Sequence, residues 1–188
     1  MLPISTSTDK TWLTNFHNKC AYPMYITIGN IPKEICCKPS NWAYILLAYL
    51  PTIRLENISN KASQRHLLAN LYHSCHGWII QPLLNAGQSR IFMRSGDGLT
   101  LQIHLILACA VDDYPEQVLT TCILTGQCPS CQTLRTKLGE HRCDEVPDLH
   151  DLTSILEALD SFDENPGGFL QICSETGEMD ALVWLKKI

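Results

Sequence analysis

The sequence has no apolar run approaching the roughly 20 residues of a membrane-spanning helix, so we expect no transmembrane segment. Its opening residues, MLPISTSTDK, lack the basic and apolar regions of a signal peptide. Internal repeats, low-complexity stretches and nucleotide-binding glycine motifs are also missing. Only 18% of the 188 residues are charged and 45% are hydrophobic. This composition excludes a disordered tail, a coiled coil and a disulfide-stapled mini-protein, and it indicates one domain with a real core, or one domain with an appendage.

Charge is unevenly distributed along the chain. The net charge is −5, which argues against a simple nucleic-acid-coating protein. Residues 1–105 hold nine Lys and Arg against four Asp and Glu, whereas residues 106–188 hold five against fifteen. Such asymmetry is typical of a nucleic-acid face beside an acidic region, but two ordinary surfaces of one domain would also produce it.

Ten cysteines are present, which is many for a chain of this length. Because no signal peptide is visible, we interpret them as reduced thiols rather than disulfides. Cys75 and Cys109 fall on apolar stretches and are predicted to be core residues.

Local patterns predict strands and helices in alternation. Apolar periodicity predicts a long helix over residues 62–86, kinked or interrupted at Pro82 and ended by Gly87. Strands are predicted over 22–31 and 99–111, the latter becoming buried on both faces. Further elements are predicted at residues 42–50 (strand or short helix), 91–93 (strand before a Gly96-Asp97-Gly98 turn), 116–124 (helix) and 151–162 (helix). The fold class is therefore mixed α/β, in a β-β-β-α-β order followed by helices, which is the plan of the ribonuclease H fold.

Two carboxylates are candidates for metal-dependent phosphodiester chemistry. Asp9 lies near the start of the chain. Asp113 lies 104 residues later, just after the predicted strand over 99–111. Two-metal sites need carboxylates from separate strands, because hard oxygen ligands must flank two cations about 4 Å apart. The alternative is that Asp112 and Asp113 cap the helix that follows them.

Cysteines in the second half suggest a zinc site. Cys128 and Cys131 have the C-x₂-C spacing of two zinc ligands, and His141 and Cys143 follow as possible partners. Cys122 is a possible substitute. A redox pair and plain free thiols remain the alternatives.

His73 and His76 are three residues apart on the predicted long helix and could share a metal ion. The alternative is a partly buried helix that carries exposed histidines.

Several unusual segments occur together in a specific order and spacing. They are Asp9-Lys10-Thr11, YPMYITIGNIPK at 22–33, Leu71-Tyr72-His73-Ser74-Cys75, DYPEQ at 113–117 and CPSC at 128–131. Together they resemble the Plavaka transposases, fungal DNA-transposon proteins related to the CACTA group, over roughly residues 5–175.

The resemblance implies a DDE-type transposase with a ribonuclease-H-like core that uses acidic residues and Mg²⁺ to cut DNA and join it to a target. Asp9 and Asp113 match its first two aspartates and would be catalytic Mg²⁺ ligands, whereas Asp112 stands where the family usually has a small residue. Cys128 and Cys131 match a Cys-Pro-x-Cys pair that would bind Zn²⁺. The implied partner is transposon-end DNA, with no membrane, and the implied location is the nucleus.

The family's third acidic residue has no counterpart in this sequence. We therefore expect a catalytic-core fragment that is inactive alone, or alternatively a domesticated DNA- or protein-binding module without nuclease activity. The predicted divisions are a partial ribonuclease-H-like core at 1–125, a Cys-rich possible zinc knuckle at 126–145 and a helical remnant at 146–188. Basic residues that could contact DNA lie in the first half at Lys10, Lys19, Lys33, Lys38 and Arg54.

Overall fold

A computed structural model describes residues 1–15, 19–133, 135–140, 148–161 and 165 of the chain. The chain divides into two compact units. The first, here named the sheet unit, comprises Met1–Asn57 and Ser74–Asp113, and the second, the helical unit, comprises Ile58–His73 and Tyr114–Ile188. The three divisions predicted from sequence stay a prediction.

Strands and helices follow one another as a mixed α/β chain. The strands are β1 (Leu2–Thr8), β2 (Thr11–Trp12), β3 (Cys20–Ala21), β4 (Pro23–Ile28), β5 (Tyr44–Tyr49), β6 (Ile91–Arg94), β7 (Thr100–Ile103) and β8 (Leu105–Asp112). The helices are α1 (Lys33–Cys36), α2 (Lys61–Ser89), α3 (Tyr114–Thr121) and α4 (Leu152–Ser161), with 3₁₀ turns at Pro39–Asn41 and Arg135–Lys137.

The main sheet of the sheet unit has the strand order β5-β4-β1-β8. β4 runs antiparallel to both β1 and β5, whereas β8 runs parallel to β1. The last aligned pair of β1 and β8 is Thr8 with Asp112, beyond an irregularity between Ile4 and Ser5. The ambiguous apolar run at 42–50 is thus resolved as strand β5, and the predicted mixed α/β class is confirmed.

Helix α2 continues through Pro82 and Gly87 to Ser89, so the predicted interruption at Pro82 and end at Gly87 are wrong, whereas a kink at Pro82 stays a prediction. Pro82 lacks the N–H that would donate to the Trp78 carbonyl, so α2 accommodates this proline with one backbone hydrogen bond fewer. Gly87 allows the backbone of α2 to approach the backbone of β8, because a Cβ at position 87 would lie only 2.9 Å from the Leu105 carbonyl oxygen. Nδ1–H of His104 donates to the Gly87 carbonyl at 2.8 Å, which satisfies a group near the helix end.

The predicted strand over 99–111 differs from the structure in two ways. It is divided at His104, because β7 pairs with β6 in a separate hairpin while β8 joins the main sheet. β8 is an edge strand among the described residues, so the expected burial on both faces is wrong: Leu107 is 52% and Val111 60% exposed. Cys109, predicted to be core, is exposed for the same reason, and Cys75 is only half-buried.

Each unit has its own buried apolar residues. In the sheet unit these are Ile4, Tyr22, Met24, Ala43 and Leu50. In the helical unit they are Ala69, Tyr72, Val118, Cys122, Ile123 and Leu159. Within the sheet unit, the second part of α2 lines an open cavity of about 200 Å³ with residues of β1 and β8. None of the helices in the described residues combines the length and apolar character of a membrane span.

Candidate functional site

The two candidate carboxylates follow neighbouring parallel strands. Asp9 comes directly after β1 and Asp113 directly after β8. Because Thr8 is aligned with Asp112, each carboxylate lies one residue beyond the same aligned pair. Neighbouring strands are about 4.8 Å apart, so the two residues occupy adjacent positions at one end of the sheet.

Both carboxylates are accessible to a ligand. Asp9 and Asp113 are exposed, and Oδ2 of Asp9 accepts a hydrogen bond from the Thr11 hydroxyl at 3.3 Å. Hard oxygen donors at an accessible sheet end suit Mg²⁺ or Mn²⁺. No group of three His, Cys, Asp or Glu side chains that could hold a metal occurs within the described ranges. Within the part of the chain that the structure describes, the site offers two carboxylates.

Asp112 connects the ends of the two strands. Its Oδ1 accepts hydrogen bonds from the Thr8 backbone N–H at 3.0 Å and from the Thr8 hydroxyl at 2.7 Å. Thr8 is buried and Asp112 half-buried. The sequence assigned no role to Thr8, because no local pattern shows which residue of a distant strand will lie beside Thr8.

His76, on α2, lies near this carboxylate. Burial lowers the pKa of the imidazole below its ordinary value, and the negative charge of Asp112 partly opposes that shift. The side chain is half-buried, and His73 on the same helix is only 5% exposed. The predicted exposed histidines are therefore wrong, since His73 is buried and His76 is half-buried. His73 instead lies with its Nε2 3.1 Å from Sγ of Cys122.

The cysteine loop of the helical unit places its two thiols close together. The backbone N–H of Ser130 lies 3.5 Å from Sγ of Cys128, and the Thr133 hydroxyl lies 3.1 Å from Sγ of Cys131. Hydrogen bonds from the Thr133 side chain, the Thr133 backbone and the Cys128 thiol lower the pKa of Cys131. Stabilised thiolates are what a zinc ion requires. The other two predicted ligands, His141 and Cys143, lie outside the described residues.

Residues 148–150 form hydrogen bonds with this loop. Cys131 forms an isolated β-bridge with Leu149, and the Gln132 N–H donates to the Asp148 carbonyl at 2.9 Å. Nε2–H of His150 donates to the Cys128 carbonyl at 3.0 Å. Sequence reasoning missed His150, because its partner lies 22 residues away with no periodic pattern between them.

The chain is similar to a known protein family. A family model described as Plavaka transposase matches residues 1–181 of the chain. Among curated proteins, none matches.

Proposed function

This chain belongs to the Plavaka transposase family, and we propose that it forms the part of a ribonuclease-H-like catalytic core that carries the first two acidic residues. Support comes from the main sheet, in which three antiparallel strands are followed by a helix and by a strand parallel to the first. That arrangement is the β-β-β-α-β order of the ribonuclease H fold.

One observation supports this proposal most strongly: the alignment of Thr8 with Asp112 across two parallel strands. It brings Asp9 and Asp113, separated by 104 positions in the sequence, to the same end of the sheet. Exposed carboxylates at the carboxyl ends of adjacent parallel strands are well placed to bind a hard cation.

The roles of the two residues follow from their chemistry. Asp9 and Asp113 would hold Mg²⁺ through their carboxylate oxygens and face a DNA phosphate at the open end of the sheet. Mg²⁺ bound there would supply positive charge to the phosphate during DDE-type cleavage and strand transfer. With only these two carboxylates as ligands, we propose that the chain alone binds a cation weakly and does not complete strand transfer.

Exposed apolar strands support a catalytic-core segment over the alternative of a domesticated binding module. The sheet unit exposes large apolar side chains on its two edge strands, at Tyr44, Ile45, Leu46, Tyr49, Ile106, Leu107 and Val111. We infer that further elements of a larger core would pack on these strands, because extensive exposed apolar area marks contact surfaces.

DNA is the proposed partner, and the nucleus the corresponding location. The candidate basic residues of the sheet unit are all exposed, at Lys10, Lys19, Lys33, Lys38 and Arg54. Lys10 directly follows Asp9, so a phosphate near the carboxylates would find a cation beside it. Binding through these side chains should weaken steeply as salt rises, since it depends on counterion release.

We further propose that Cys128 and Cys131 contribute two ligands to a Zn²⁺ site that His141 and Cys143 complete. The lowered pKa of Cys131 and the N–H of Ser130 directed at the Cys128 sulfur support two of these four ligands. Metal analysis after purification in reductant tests this directly. About one zinc per chain, lost in Cys128→Ser, is expected, whereas a metal-free, stably folded chain would refute the zinc proposal.

The carboxylate proposal is tested by Mn²⁺ titration followed by electron paramagnetic resonance. Asp9→Asn and Asp113→Asn should each weaken Mn²⁺ binding at least about tenfold, as expected for loss of a direct ligand. Glu34→Gln removes an exposed carboxylate of α1 in the same unit and should leave binding unchanged. Equal affinity in all four proteins would exclude a site at Asp9 and Asp113.

Catalytic competence is measured separately, by nicking of supercoiled DNA with Mg²⁺ or Mn²⁺. We expect no nicking by the wild-type chain. Nicking that Asp113→Asn abolishes would show that two carboxylates suffice and would overturn the proposed inactivity.

A further inference from the structure

Asp112 lies at the same end of the sheet as Asp9 and Asp113. Neither the family motif nor the proposed metal site gives it a role. Its Oδ1 accepts two hydrogen bonds from one residue, Thr8, through the backbone N–H and the hydroxyl. A carboxylate that accepts a hydroxyl proton at 2.7 Å forms a charge-assisted bond, which is stronger than a neutral one. The interaction joins two strands whose residues are 104 positions apart.

The surroundings of Asp112 favour this geometry. Thr8 is 4% exposed, so water competes poorly for its hydroxyl. His76, from α2, lies close enough for its imidazole to interact electrostatically with the Asp112 carboxylate. Asp112 is half-buried, whereas Asp9 and Asp113 are exposed.

We propose that Asp112 is a positioning residue that holds the end of β1 against the end of β8 and thereby sets the separation of Asp9 and Asp113. This inference rests on the proposed metal-binding function. Asp9 follows Thr8 and Asp113 follows Asp112, so the two hydrogen bonds fix backbone positions one residue from each metal-binding carboxylate. Because Oδ1 is hydrogen-bonded to Thr8, Asp112 acts by positioning its neighbours.

Substitutions at Asp112 separate positioning from direct ligation. Asp112→Ala removes the acceptor and should weaken Mn²⁺ binding about 10- to 100-fold, the usual effect of losing a group that orients a ligand. Asp112→Asn keeps an oxygen that can accept both bonds from Thr8, so it should recover most of the affinity lost in the alanine variant. A direct ligand would behave differently, because the asparagine variant would then bind as poorly as Asp113→Asn.

Thr8 provides the reciprocal test. Thr8→Val removes the hydroxyl but keeps the backbone N–H, so a loss smaller than that of Asp112→Ala is expected. Thr27→Val is the matched control, since the Thr27 hydroxyl donates to the Ala43 carbonyl at 2.7 Å elsewhere in the same sheet. Mn²⁺ affinity in that control should equal wild type.

Hydrogen exchange at the Thr8 amide tests the inference without any metal. The amide should be protected in the wild type and in Asp112→Asn, and it should exchange at least about tenfold faster in Asp112→Ala. Unchanged Thr8 exchange in Asp112→Ala, or wild-type Mn²⁺ affinity in that variant, would overturn the positioning role. If the wild type binds no Mn²⁺, the metal proposal fails, and the exchange comparison still decides whether Asp112 holds the strand ends together.

Discussion

A buried cysteine–histidine contact offers the sharpest prediction for the helical unit. Cys122 is the first residue after α3 and is completely buried. Its Sγ lies 3.1 Å from Nε2 of His73. The Tyr72 ring packs edge-on against the His73 ring, with 5.3 Å between the ring centroids. The Tyr72 hydroxyl lies 2.9 Å from the Thr120 hydroxyl. Together these contacts join the first part of α2 to α3.

Replacing Cys122 by alanine should destabilise this unit by about 2–4 kcal/mol. Removing the sulfur takes away a hydrogen-bond partner of a buried imidazole, which costs about 1–3 kcal/mol. Loss of the buried sulfur atom adds about 1 kcal/mol, on the scale of one buried methylene group. Against a total stability of about 5–15 kcal/mol for a typical domain, such a loss is large.

Two variants isolate the cause. Cys122→Ser keeps a donor and acceptor of similar size beside His73, so it should lose less stability than Cys122→Ala. Cys37→Ala makes the same chemical change at an exposed position and should alter stability by no more than about 0.5 kcal/mol.

Hydrogen exchange followed by mass spectrometry is the appropriate assay. With two compact units in one chain, a single unfolding transition cannot be assumed. Peptides covering α3 report opening of the helical unit alone, and their opening free energy should fall in Cys122→Ala. A value within about 0.5 kcal/mol of wild type would refute the idea that the contact with His73 stabilises this unit.

Two further substitutions test local packing and thiol chemistry. Gly87→Ala should destabilise the sheet unit by about 1–3 kcal/mol, measured as the opening free energy of β8 peptides by hydrogen exchange, because the new Cβ would lie 2.9 Å from the Leu105 carbonyl. A more stable variant would mean that helix propensity outweighs this clash. Thr133→Val should raise the pKa of Cys131, because the hydroxyl stabilises its thiolate, and should slow alkylation by iodoacetamide near neutral pH. Thr133→Ser should react as wild type does.

Several elements could be predicted because their causes are local. Apolar residues at helical spacing indicated α2, and the Gly96-Asp97-Gly98 turn indicated the β6–β7 hairpin, where Gly98 has a φ of 87°. A side-chain periodicity, or a glycine at positive φ, expresses the geometry of a few neighbouring residues. The family motifs were also visible in the linear order of the chain, and the family match confirms them.

Burial and helix continuity were predicted less well, because both depend on neighbours distant in sequence. The apolar composition of β8 indicated a strand enclosed on both faces, but burial is decided by which elements pack beside it, and β8 lies at the edge of the described sheet. Gly87 indicated a helix end, yet its lack of a side chain serves the close approach of Leu105.

The residue types of the candidate site were evident in the sequence, since carboxylates and thiols at C-x₂-C spacing are common metal ligands. Their relationship depended on tertiary structure. Alternation along a strand specifies which face a side chain occupies, but not which strand lies alongside or in what register. The pairing of Thr8 with Asp112 places Asp9 beside Asp113 and gives Asp112 its two hydrogen bonds. Long-range backbone pairing between β1 and β8 therefore converts two separate aspartates into one candidate site.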